Sequence, residues 1–503
     1  MEKKKCFLGL DVATGSTKAL LVDENGSVLA KEISTYGLST PRALWSEQDP
    51  VWWTDATDKV IRGVLQKAKV SGEQVCGVGI TGQMHGLVLL DSVGQVIRPA
   101  LLWNDQRTEK QCEEIHSLVG RERQIEITGK PALTGFTAPK MLWVREEEPA
   151  HWDAMKMMLL PKDYVRFYLT NEYVTDVSDA SGTSLLDLHT RAYSEEILSA
   201  LDIDSQTLPP VCESSQVCSS ISQEAAQRTG LIAGTPVVAG AGDQAAEAVG
   251  CGIVDSSCMS AVIGTSGVVF ASTESPVIDN NGHMHCYAHA INGGCHMMGV
   301  MMSAGGSLRW YVEQVMGDVK SQEYEKLLEE AASVVPGCEG LIFLPYLTGE
   351  RTPHADPLAR AAFIGLTLRH GRAAMTRAVL EGVAFGLCES LDLIRDLGVS
   401  AKTIRISGGG VRSELWLQIM ADVFNMPVAT VNVTEGAAYG AALLAMVGTD
   451  CFDDVAAASK AIIKETSRIQ PGSNVGAYEK AYVRYKEAYP SLKSYFRGYA
   501  DLA

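Results

Sequence analysis

The stretch CFLGLDVATGSTKALLVDENGSVLAK, residues 6–31, decides how the fold begins. An apolar run is followed by a turn of Thr, Gly and Ser, a second apolar run, the turn DENG and a third run. Short apolar runs separated by such turns predict three strands in a β-meander that opens a domain.

A similar hairpin recurs far along the chain. Residues 257–273, SCMSAVIGTSGVVFAST, again predict a strand, a small polar turn and a strand. Thr14 and Thr265 hold matching places in the two turns and are 251 residues apart (265 − 14), about half of the 503 residues. We therefore predict two similar domains, residues 1–250 and 251–503, with a large cleft between them.

Helices and strands alternate in the rest of the chain, which predicts the α/β class. Residues 49–68 predict a helix with Pro50 at its first position, and residues 105–120 a helix that ends at Gly120. Residues 402–428, KTIRISGGGVRSELWLQIMADVFNMPV, predict a strand, a glycine turn, a helix and a further strand. TEGAAYGAALLAMVG, residues 434–448, predicts a small-residue helix that packs closely against a neighbour.

The composition excludes several classes of function. The net charge is −17 and no basic cluster follows Lys3–Lys5, so we expect no nucleic-acid partner. No run of about 18 apolar residues occurs, so we expect no membrane span. Asp11 interrupts the first apolar run too early for a secretory signal. The 12 cysteines show no paired CxxC spacing, which is typical of reduced thiols in the cytoplasm.

One carboxylate stands among small and apolar residues in VVAGAGDQAAEAVGCG, residues 237–252. The pattern predicts that a strand ends near Ala239, that Gly240–Gly242 form a turn, and that a helix follows Asp243. Two roles stay open for Asp243 on these grounds. It either caps the helix by accepting backbone hydrogen bonds, or acts as a general base beside glycines that admit a ligand.

Three glycine-bearing turns adjoin predicted strands: DVATGST (11–17), IGTSG (263–267) and SGGGVRS (407–413). Their backbone N–H groups and hydroxyls suit phosphate oxygens, although ordinary hairpins use the same residues. Asp11, at the end of an apolar strand, is costly to bury unless it is paired or binds a metal. A magnesium ion shared with phosphates satisfies it, and Asp11 and Asp243 would then flank one reaction centre.

Residues 283–296 contain four of the ten histidines and two of the cysteines. Their spacing matches no standard zinc-ligand pattern, although a zinc site stays one interpretation. We favour a strand and a turn whose histidines face a cleft or the surface. His85, taken alone on a strand, is typical of a buried core histidine, and Met84 of a core residue.

An ordered set of segments resembles the FGGY family of carbohydrate kinases and covers about Leu8 to Ala445. These segments are LWSEQDP (44–50), GQMHG (82–86), LLWNDQR (101–107), GFTAPKMLWV (135–144), LLPKDY (159–164), SDASGT (178–183), GAGDQAA (240–246), IGTSGV (263–268), FLPYLTGERTPH (343–354), RAVLEGVAF (377–385) and SGGGVRSELW (407–416). The resemblance implies two ribonuclease-H-like domains of the actin-like ATPase fold, with sugar and MgATP between them.

The same resemblance implies roles for individual residues. Asp243 is expected to be the catalytic base, and Met84, His85 and Gln244 to contact the sugar. Asp11 is expected to act on metal and phosphate. The expected nucleotide contacts are Thr14 and Gly15 in the first hairpin, Thr265 and Ser266 in the second, and Gly305, Gly409, Gly410 and Ser413.

Within the family, the segments GQMHG, WND and LPKDY point to ATP-dependent phosphorylation of D-xylulose to D-xylulose 5-phosphate. Three residues depart from the family pattern: Ala13 stands where glycine is usual, Gln244 where kinases of this sugar often carry asparagine, and Ala374 where a polar residue is preferred. Kinases of other ketoses or polyols, such as ribulose or glycerol, stay open, as does an actin-like ATPase that serves as a binding module. The sequence does not give the oligomeric state, and a homodimer is the assembly to test.

Overall fold

A computed structural model of the chain describes residues 5–317 and 321–499. The strands of the first half are β1 (Cys6–Val12), β2 (Ser16–Asp23), β3 (Val28–Thr35), β4 (Glu47–Gln48), β5 (Val75–Gly82), β6 (Val88–Leu90), β7 (Ala100–Leu101), β8 (Met157–Leu159), β9 (Thr175–Asp176), β10 (Leu186–Asp187), β11 (Ala192–Tyr193), β12 (Val211–Cys212), β13 (Val217–Ser220), β14 (Pro236–Val238) and β15 (Ala241–Gly242). Those of the second half are β16 (Cys258–Ile263), β17 (Gly267–Thr273), β18 (His285–Ala288), β19 (Cys295–Met301), β20 (Ile342–Leu344), β21 (Ala362–Ile364), β22 (Thr403–Gly408), β23 (Val428–Val431) and β24 (Glu465–Ile469).

Helices separate the strands in both halves. They are α1 (Pro50–Ala68), α2 (Glu109–Ile115), α3 (Arg121–Thr128), α4 (Thr137–Glu147), α5 (Pro149–Ala154), α6 (Pro161–Thr170), α7 (Val177–Ala180), α8 (Glu195–Ala200), α9 (Gln223–Thr229), α10 (Asp243–Gly250), α11 (Gly305–Trp310), α12 (Ser321–Ala332), α13 (Arg372–Asp396), α14 (Glu414–Phe424), α15 (Gly436–Gly448), α16 (Val455–Ile462) and α17 (Val475–Tyr499). Within residues 5–317 and 321–499, no helix is both long and apolar enough to cross a membrane.

The first sheet contains the predicted meander, which is formed by β1, β2 and β3. Its strand order is β13-β14-β5-β1-β2-β3, and β15 pairs with β5 beyond β14. The strands β1, β2 and β3 are antiparallel neighbours, whereas β5 runs parallel to β1. Leu8 and Leu10 of β1 pack with Trp53 and Ile61 of α1 in the core beneath this sheet.

The second sheet repeats the plan of the first. Its order is β18-β19-β17-β16-β22-β23-β24, with β16 and β17 antiparallel and β22 parallel to β16. Ile404 and Ile406 of β22 share a core with Phe385 of α13 and Trp416 of α14. Each sheet thus begins with a hairpin followed by a parallel strand, and the predicted α/β class with two similar domains is confirmed.

Helix α15 comes from the second half of the chain but packs on strands β1 and β5 of the first sheet. A Cβ added at Gly9 or Gly79 would lie 1.9 Å from a carbonyl oxygen of α15, and one added at Gly440 would lie 1.8 Å from the Ala246 carbonyl oxygen. Only glycine permits such close approach, so the predicted close packing of this helix is confirmed. The domain boundary between residues 250 and 251 stays a prediction.

The cysteines and the histidine-rich segment agree only in part with the predictions. Every one of the 12 cysteines is a free thiol. The segment 283–296 forms β18, a turn and β19, as predicted, but His289 and His296 are fully buried and His296 stacks on Phe270. The expectation that these histidines face a cleft or the surface is therefore wrong for both, because both rings pack against Phe270 of β17.

Candidate active site

The carboxyl ends of three parallel strands meet at one edge of the first sheet. Val12 of β1 pairs with Gly82 of β5, and Gly82 pairs with Gly242 of β15. Neighbouring strands are about 4.8 Å apart, so the residues that leave these strands lie close together. Asp11, the loop after Gly82 and Asp243 all belong to this edge.

Asp243 is the first residue of α10, and the N-cap position belongs to Gly242. The interpretation of Asp243 as the N-cap is therefore wrong. The residue is half-buried, and the backbone and side chain of Gln244 favour its charged form, which lowers its pKa. Burial, with the charges of Asp11 and Glu247, raises its pKa to about 7. At neutral pH this carboxyl group is poised to accept a proton.

Asp11 lies opposite Lys18 on the neighbouring strand β2. Burial raises its pKa to about 6, and Lys18 opposes this shift. Its Oδ1 atom is buried and has no hydrogen-bond partner among the described residues. An orphaned carboxylate oxygen of this kind fits a cation.

No three His, Cys, Asp or Glu side chains within residues 5–317 and 321–499 are grouped so that they alone would hold a metal. Magnesium usually takes only one or two carboxylates and completes its shell with phosphate oxygens and water. The donor set at Asp11 therefore suits magnesium delivered with a nucleotide better than a resident zinc ion.

Met84 and His85 lie in the loop that follows β5, not on a strand as expected for His85. A Cβ added at Gly242 would lie 2.8 Å from Met84 Cγ, so Met84 packs directly against the turn before Asp243. Met84 also joins an apolar cluster with Val268, Tyr287 and Met298 of the second sheet. Met84 and His85 form a surface, the Met84–His85 wall, and residues of the second half of the chain pack against Met84 in it.

His85 has φ 67, which is unusual for a residue with a side chain. Its ring Nδ1 lies 2.7 Å from the carbonyl oxygen of Gly182, while its own carbonyl accepts from Thr137 Oγ1 at 3.0 Å and Lys140 Nζ at 2.9 Å. Burial lowers the pKa of His85 well below its usual value. The ring is therefore neutral, and three contacts maintain its left-handed backbone.

In the first hairpin turn, the Thr14 hydroxyl already makes two hydrogen bonds within the protein. Thr14 Oγ1 donates to Gln83 Oε1 at 3.1 Å and accepts from Trp103 Nε1 at 2.9 Å. Gly15 next to it is exposed, and a Cβ there would meet nothing within 4 Å. The exposed backbone of this turn, more than the Thr14 hydroxyl, is available to a ligand.

The second hairpin turn is exposed at Gly264, Thr265 and Ser266. The Thr265 carbonyl accepts from the backbone N–H groups of Ala304 and Gly306 at 2.9 and 3.0 Å. A Cβ added at Gly305 would lie 2.5 Å from the Gly264 carbonyl oxygen. The start of α11 therefore lies against this turn, and glycine is needed there.

The glycine loop after β22 reaches the same place. Gly408 has φ 82, and a Cβ there would lie 2.5 Å from the Ile263 carbonyl oxygen; one at Gly410 would lie 2.8 Å from Ile263 Cδ1. Gly409 is exposed, whereas Ser413 is buried and accepts from the Trp416 N–H at 3.2 Å as the N-cap of α14. Three glycine-bearing segments thus surround the end of β16.

Glu247 was missed from the sequence although it follows Asp243 by four residues, the spacing that places two side chains on one helix face. Its Oε1 accepts from Ser407 Oγ at 3.3 Å, and burial raises its pKa. Since Ser407 belongs to β22 and Glu247 to α10, this contact joins the two halves of the chain beside the site.

Arg351 is the second missed residue, and it lies in the quoted segment FLPYLTGERTPH. The side chain is half-buried, and among the described residues its guanidinium makes no hydrogen bond or ion pair. Burial lowers the pKa of His85 and His285 and the charge of Arg351 adds to this, whereas for Tyr287 the same charge opposes the rise in pKa that burial causes. A cation of the second half without an ion-pair partner among the described residues therefore lies within electrostatic reach of His85.

Two family models match most of the chain. The model described as the FGGY family of carbohydrate kinases, N-terminal domain, matches residues 6–250, and the model of the C-terminal domain matches residues 259–449. A xylulose kinase of Lactococcus lactis subsp. lactis is 40% identical over 485 residues, 96% of this chain and 96% of that protein.

Solved structures of the same shape include kinases of different sugars. The ligand-bound xylulose kinase of Lactobacillus acidophilus superposes with a TM-score of 0.92 at 27% identity, covering 98% of this chain and 100% of that one. A gluconate kinase of Lactobacillus acidophilus also gives 0.92 at 27% identity, over 99% and 100% of the two chains. Similarity of shape therefore does not decide the sugar.

Proposed function

Because this chain belongs to the FGGY family of carbohydrate kinases, we propose that it transfers the terminal phosphoryl group of ATP to D-xylulose, giving D-xylulose 5-phosphate. The predicted family and enzyme class are confirmed, and the identity of the sugar is the proposed part. It is supported by the 40% identity with a xylulose kinase over nearly the whole chain.

One observation carries the assignment of roles. Asp243 follows Gly242, which packs against Met84, and its carboxylate lies within the electrostatic reach of Asp11. A sugar hydroxyl at Asp243 would thus have the Met84–His85 wall on one side and the metal and phosphate residue on the other. This arrangement brings acceptor and donor together, which accounts for much of catalysis in phosphoryl transfer.

Asp243 is proposed to accept the proton of the attacking hydroxyl. The transition state of phosphoryl transfer is loose, so the hydroxyl becomes acidic late and an aligned ionised acceptor is sufficient. A pKa raised to about 7 makes the carboxylate a stronger base than a free aspartate. Gln244, which favours the charged form of Asp243, orients that carboxylate.

His85 is proposed to hold a second sugar hydroxyl. A carbonyl oxygen can only accept, so the contact with Gly182 places the proton on Nδ1. In the neutral ring Nε2 then has a free lone pair and accepts from a hydroxyl. Met84 supplies an apolar surface for the carbon chain, and Arg351 supplies donors from the opposite half.

The nucleotide is proposed to lie at the exposed turn of Thr265 and Ser266, with Gly305, Gly409, Gly410 and Ser413 around it and Thr14 and Gly15 across the cleft. Free backbone N–H groups of such turns bind phosphate oxygens. Asp11 would hold magnesium, which neutralises the charge of the phosphates when it is bound. The engaged hydroxyls of Thr14 and Ser413 favour backbone contacts at those two positions.

The test is sugar-stimulated ADP release by the purified protein with D-xylulose, D-ribulose, glycerol and D-gluconate in parallel. We expect the highest kcat/KM with D-xylulose. A higher value with another member of the panel would replace the sugar and keep the enzyme class. ATP turnover that no sugar stimulates would favour an ATPase used as a binding module. The cytoplasmic location, the homodimer and the absence of a nucleic-acid partner stay predictions.

A further inference from the structure

Two cysteines of the first half of the chain interact as a thiol pair. Cys212 ends β12 and Cys218 lies in β13, and both are half-buried. Each thiol is the largest influence on the pKa of the other, so the two side chains are neighbours. The pair is therefore close enough to react and open enough for a small solute to reach.

A buried cation faces one member of the pair. Arg166 Nη1 lies 3.6 Å from Cys218 Sγ, and the arginine is only 1% exposed. The hydrogen bond from Cys212 and the charge of Arg166 lower the pKa of Cys218 to about 6. A thiolate held beside a cation with a second thiol next to it is the arrangement of reactive cysteine pairs.

Arg166 connects this pair directly to the turn that carries Asp243. The same Nη1 atom donates to the carbonyl oxygen of Ala239 at 3.0 Å. Ala239 lies between β14 and the turn Gly240–Gly242 that leads into Asp243. A change at Cys218 that moves Arg166 therefore acts on the backbone four residues before Asp243.

A second route through buried charges reaches the same turn. Arg166 Nη2 donates to Asp163 Oδ1 at 2.8 Å, which also contacts Lys162 Nζ at 2.5 Å, and Lys162 pairs with Asp176 at 2.9 Å. All four side chains are 1% exposed or less.

The route ends at Gly242. Asp176 Oδ2 accepts from Ser178 Oγ at 2.5 Å, and Ser178 Oγ accepts from the Gly242 N–H at 3.1 Å. Both ends of the segment 239–242 are thus tied to one network that begins at Cys218. Such packed, hydrogen-bonded networks carry coupling between separate sites.

We propose that Cys212 and Cys218 are a reversible oxidation site, and that their disulfide slows the phosphoryl transfer of the proposed function by withdrawing Cys218 from Arg166 and displacing the Asp243 turn. The solute class is a hydroperoxide as oxidant, and a dithiol as reductant.

The chemistry balances in two steps. The Cys218 thiolate attacks one oxygen of hydrogen peroxide, the O–O bond breaks, and hydroxide leaves and takes up a proton to give water. The resulting sulfenic acid is attacked by the Cys212 thiol, the S–S bond forms, and a second water leaves. Two thiols lose two electrons and two protons, and the peroxide is reduced to two waters.

A second pair of cysteines, Cys286 and Cys295, differs from the first in its exposure to solvent. Cys286 and Cys295 also contact each other, but they are 0% and 1% exposed. Reactivity requires access as well as a favoured thiolate. We therefore expect peroxide to act at Cys212 and Cys218 and to leave Cys286 and Cys295 reduced.

The test treats the reduced, full-length protein with hydrogen peroxide, maps disulfides by mass spectrometry, and measures ADP release with D-xylulose before treatment, after treatment and after dithiothreitol. We expect one linked peptide pair joining Cys212 and Cys218, a three- to tenfold loss of kcat, of the order found for coupled networks, and recovery with dithiothreitol. Cys212→Ser should retain activity through the treatment. Cys258→Ser, at a half-buried cysteine of β16 that makes no contact with Arg166 among the described residues, should behave as the unaltered protein does.

Three results would overturn the proposal. These are no linkage between the two peptides, linkage without change in kcat, or equal loss of activity in Cys212→Ser. Activity of the reduced protein, measured first, separates this failure from that of the proposed function. If the reduced protein acts on another sugar of the panel, the same comparison is made with that sugar.

Discussion

The ring Nδ1 of His85 lies 2.7 Å from the carbonyl oxygen of Gly182, and a Cβ added at Gly182 would lie 2.8 Å from the same nitrogen. A residue larger than glycine therefore cannot stand at position 182 without moving the ring. Gly182 therefore positions the His85 ring, which is the group proposed to contact the sugar.

Gly182→Ala is accordingly expected to raise the KM for the sugar about three- to tenfold, the effect of one displaced hydrogen bond, and to leave the KM for ATP unchanged. His85→Ala should do the same more strongly. Steady-state kinetics with each substrate varied provides the measurement. Gly476→Ala is the control, because a Cβ there meets nothing within 4 Å. Equal loss for both substrates would return His85 to the role of a core residue.

Asp243→Asn is expected to lower sugar phosphorylation by about 100- to 10,000-fold while the fold and ADP binding persist, because asparagine cannot take a proton. Turnover is measured by ADP release and nucleotide binding by calorimetry. Asp454→Asn is the matched control, since Asp454 caps α16 through the Ala457 N–H at 2.7 Å and asparagine caps about as well. Near-normal turnover of Asp243→Asn would exclude the role of a base.

The raised pKa of Asp243 also predicts a dependence of stability on pH. The folded-state pKa is about 7 and the ordinary value 3.8, so between these values the folded protein holds a proton that the unfolded chain has lost. The free energy of unfolding therefore falls as pH rises through this window. Above pH 7 the ionised Asp243 lowers the free energy of unfolding by its full amount, on the order of 1 to 4 kcal/mol.

Asp243→Asn removes this cost. The variant should melt at a higher temperature than the unaltered protein at pH 8 without ligands, and the difference should vanish below pH 4. Thermal unfolding across this range tests it. A difference that grows toward low pH would have the wrong sign and would contradict the raised pKa.

Asp11→Asn is expected to raise the magnesium concentration for half-maximal turnover by at least about tenfold, as loss of groups at metal sites does. It should also weaken Mn²⁺ binding in the presence of ADP, followed by electron paramagnetic resonance. The buried, unpartnered Oδ1 of Asp11 is the reason. Asp204→Asn, at an exposed helix cap, serves as control. Unchanged Mn²⁺ affinity would mean that the metal is held elsewhere.

Arg351→Gln is expected to raise the KM for the sugar about tenfold to a hundredfold, because hydrogen bonds from charged donors are stronger than neutral ones. ATP affinity should change much less. Arg360→Gln is the control on the same loop, since Arg360 donates to the carbonyl oxygens of Pro357 and Ala359. If both variants alter only the melting temperature, Arg351 is a structural residue.

Local features of the site were predictable because they depend on neighbours in the sequence. The hairpins around Thr14 and Thr265, helix α1 with its proline and the glycine loop at 408–410 follow from turn chemistry and helix-cap signals. The place of Asp243 at a junction of strand and helix followed in the same way. The sequence did not predict that Gly242, and not Asp243, is the N-cap of α10, because sequence patterns place the ends of helices only to within one or two residues.

The residue sequence by itself determined the two repeated hairpins, the α/β class and the carboxylates Asp11 and Asp243 as candidates. The tertiary structure alone decided which groups meet across long separations. Arg351 lies within electrostatic reach of His85, Glu247 accepts from Ser407, the Thr14 hydroxyl is engaged by Gln83 and Trp103, and Cys218 reaches the Asp243 turn through Arg166. Periodicity and capping act over a few residues, whereas these contacts depend on how sheets and helices pack, which no local pattern encodes.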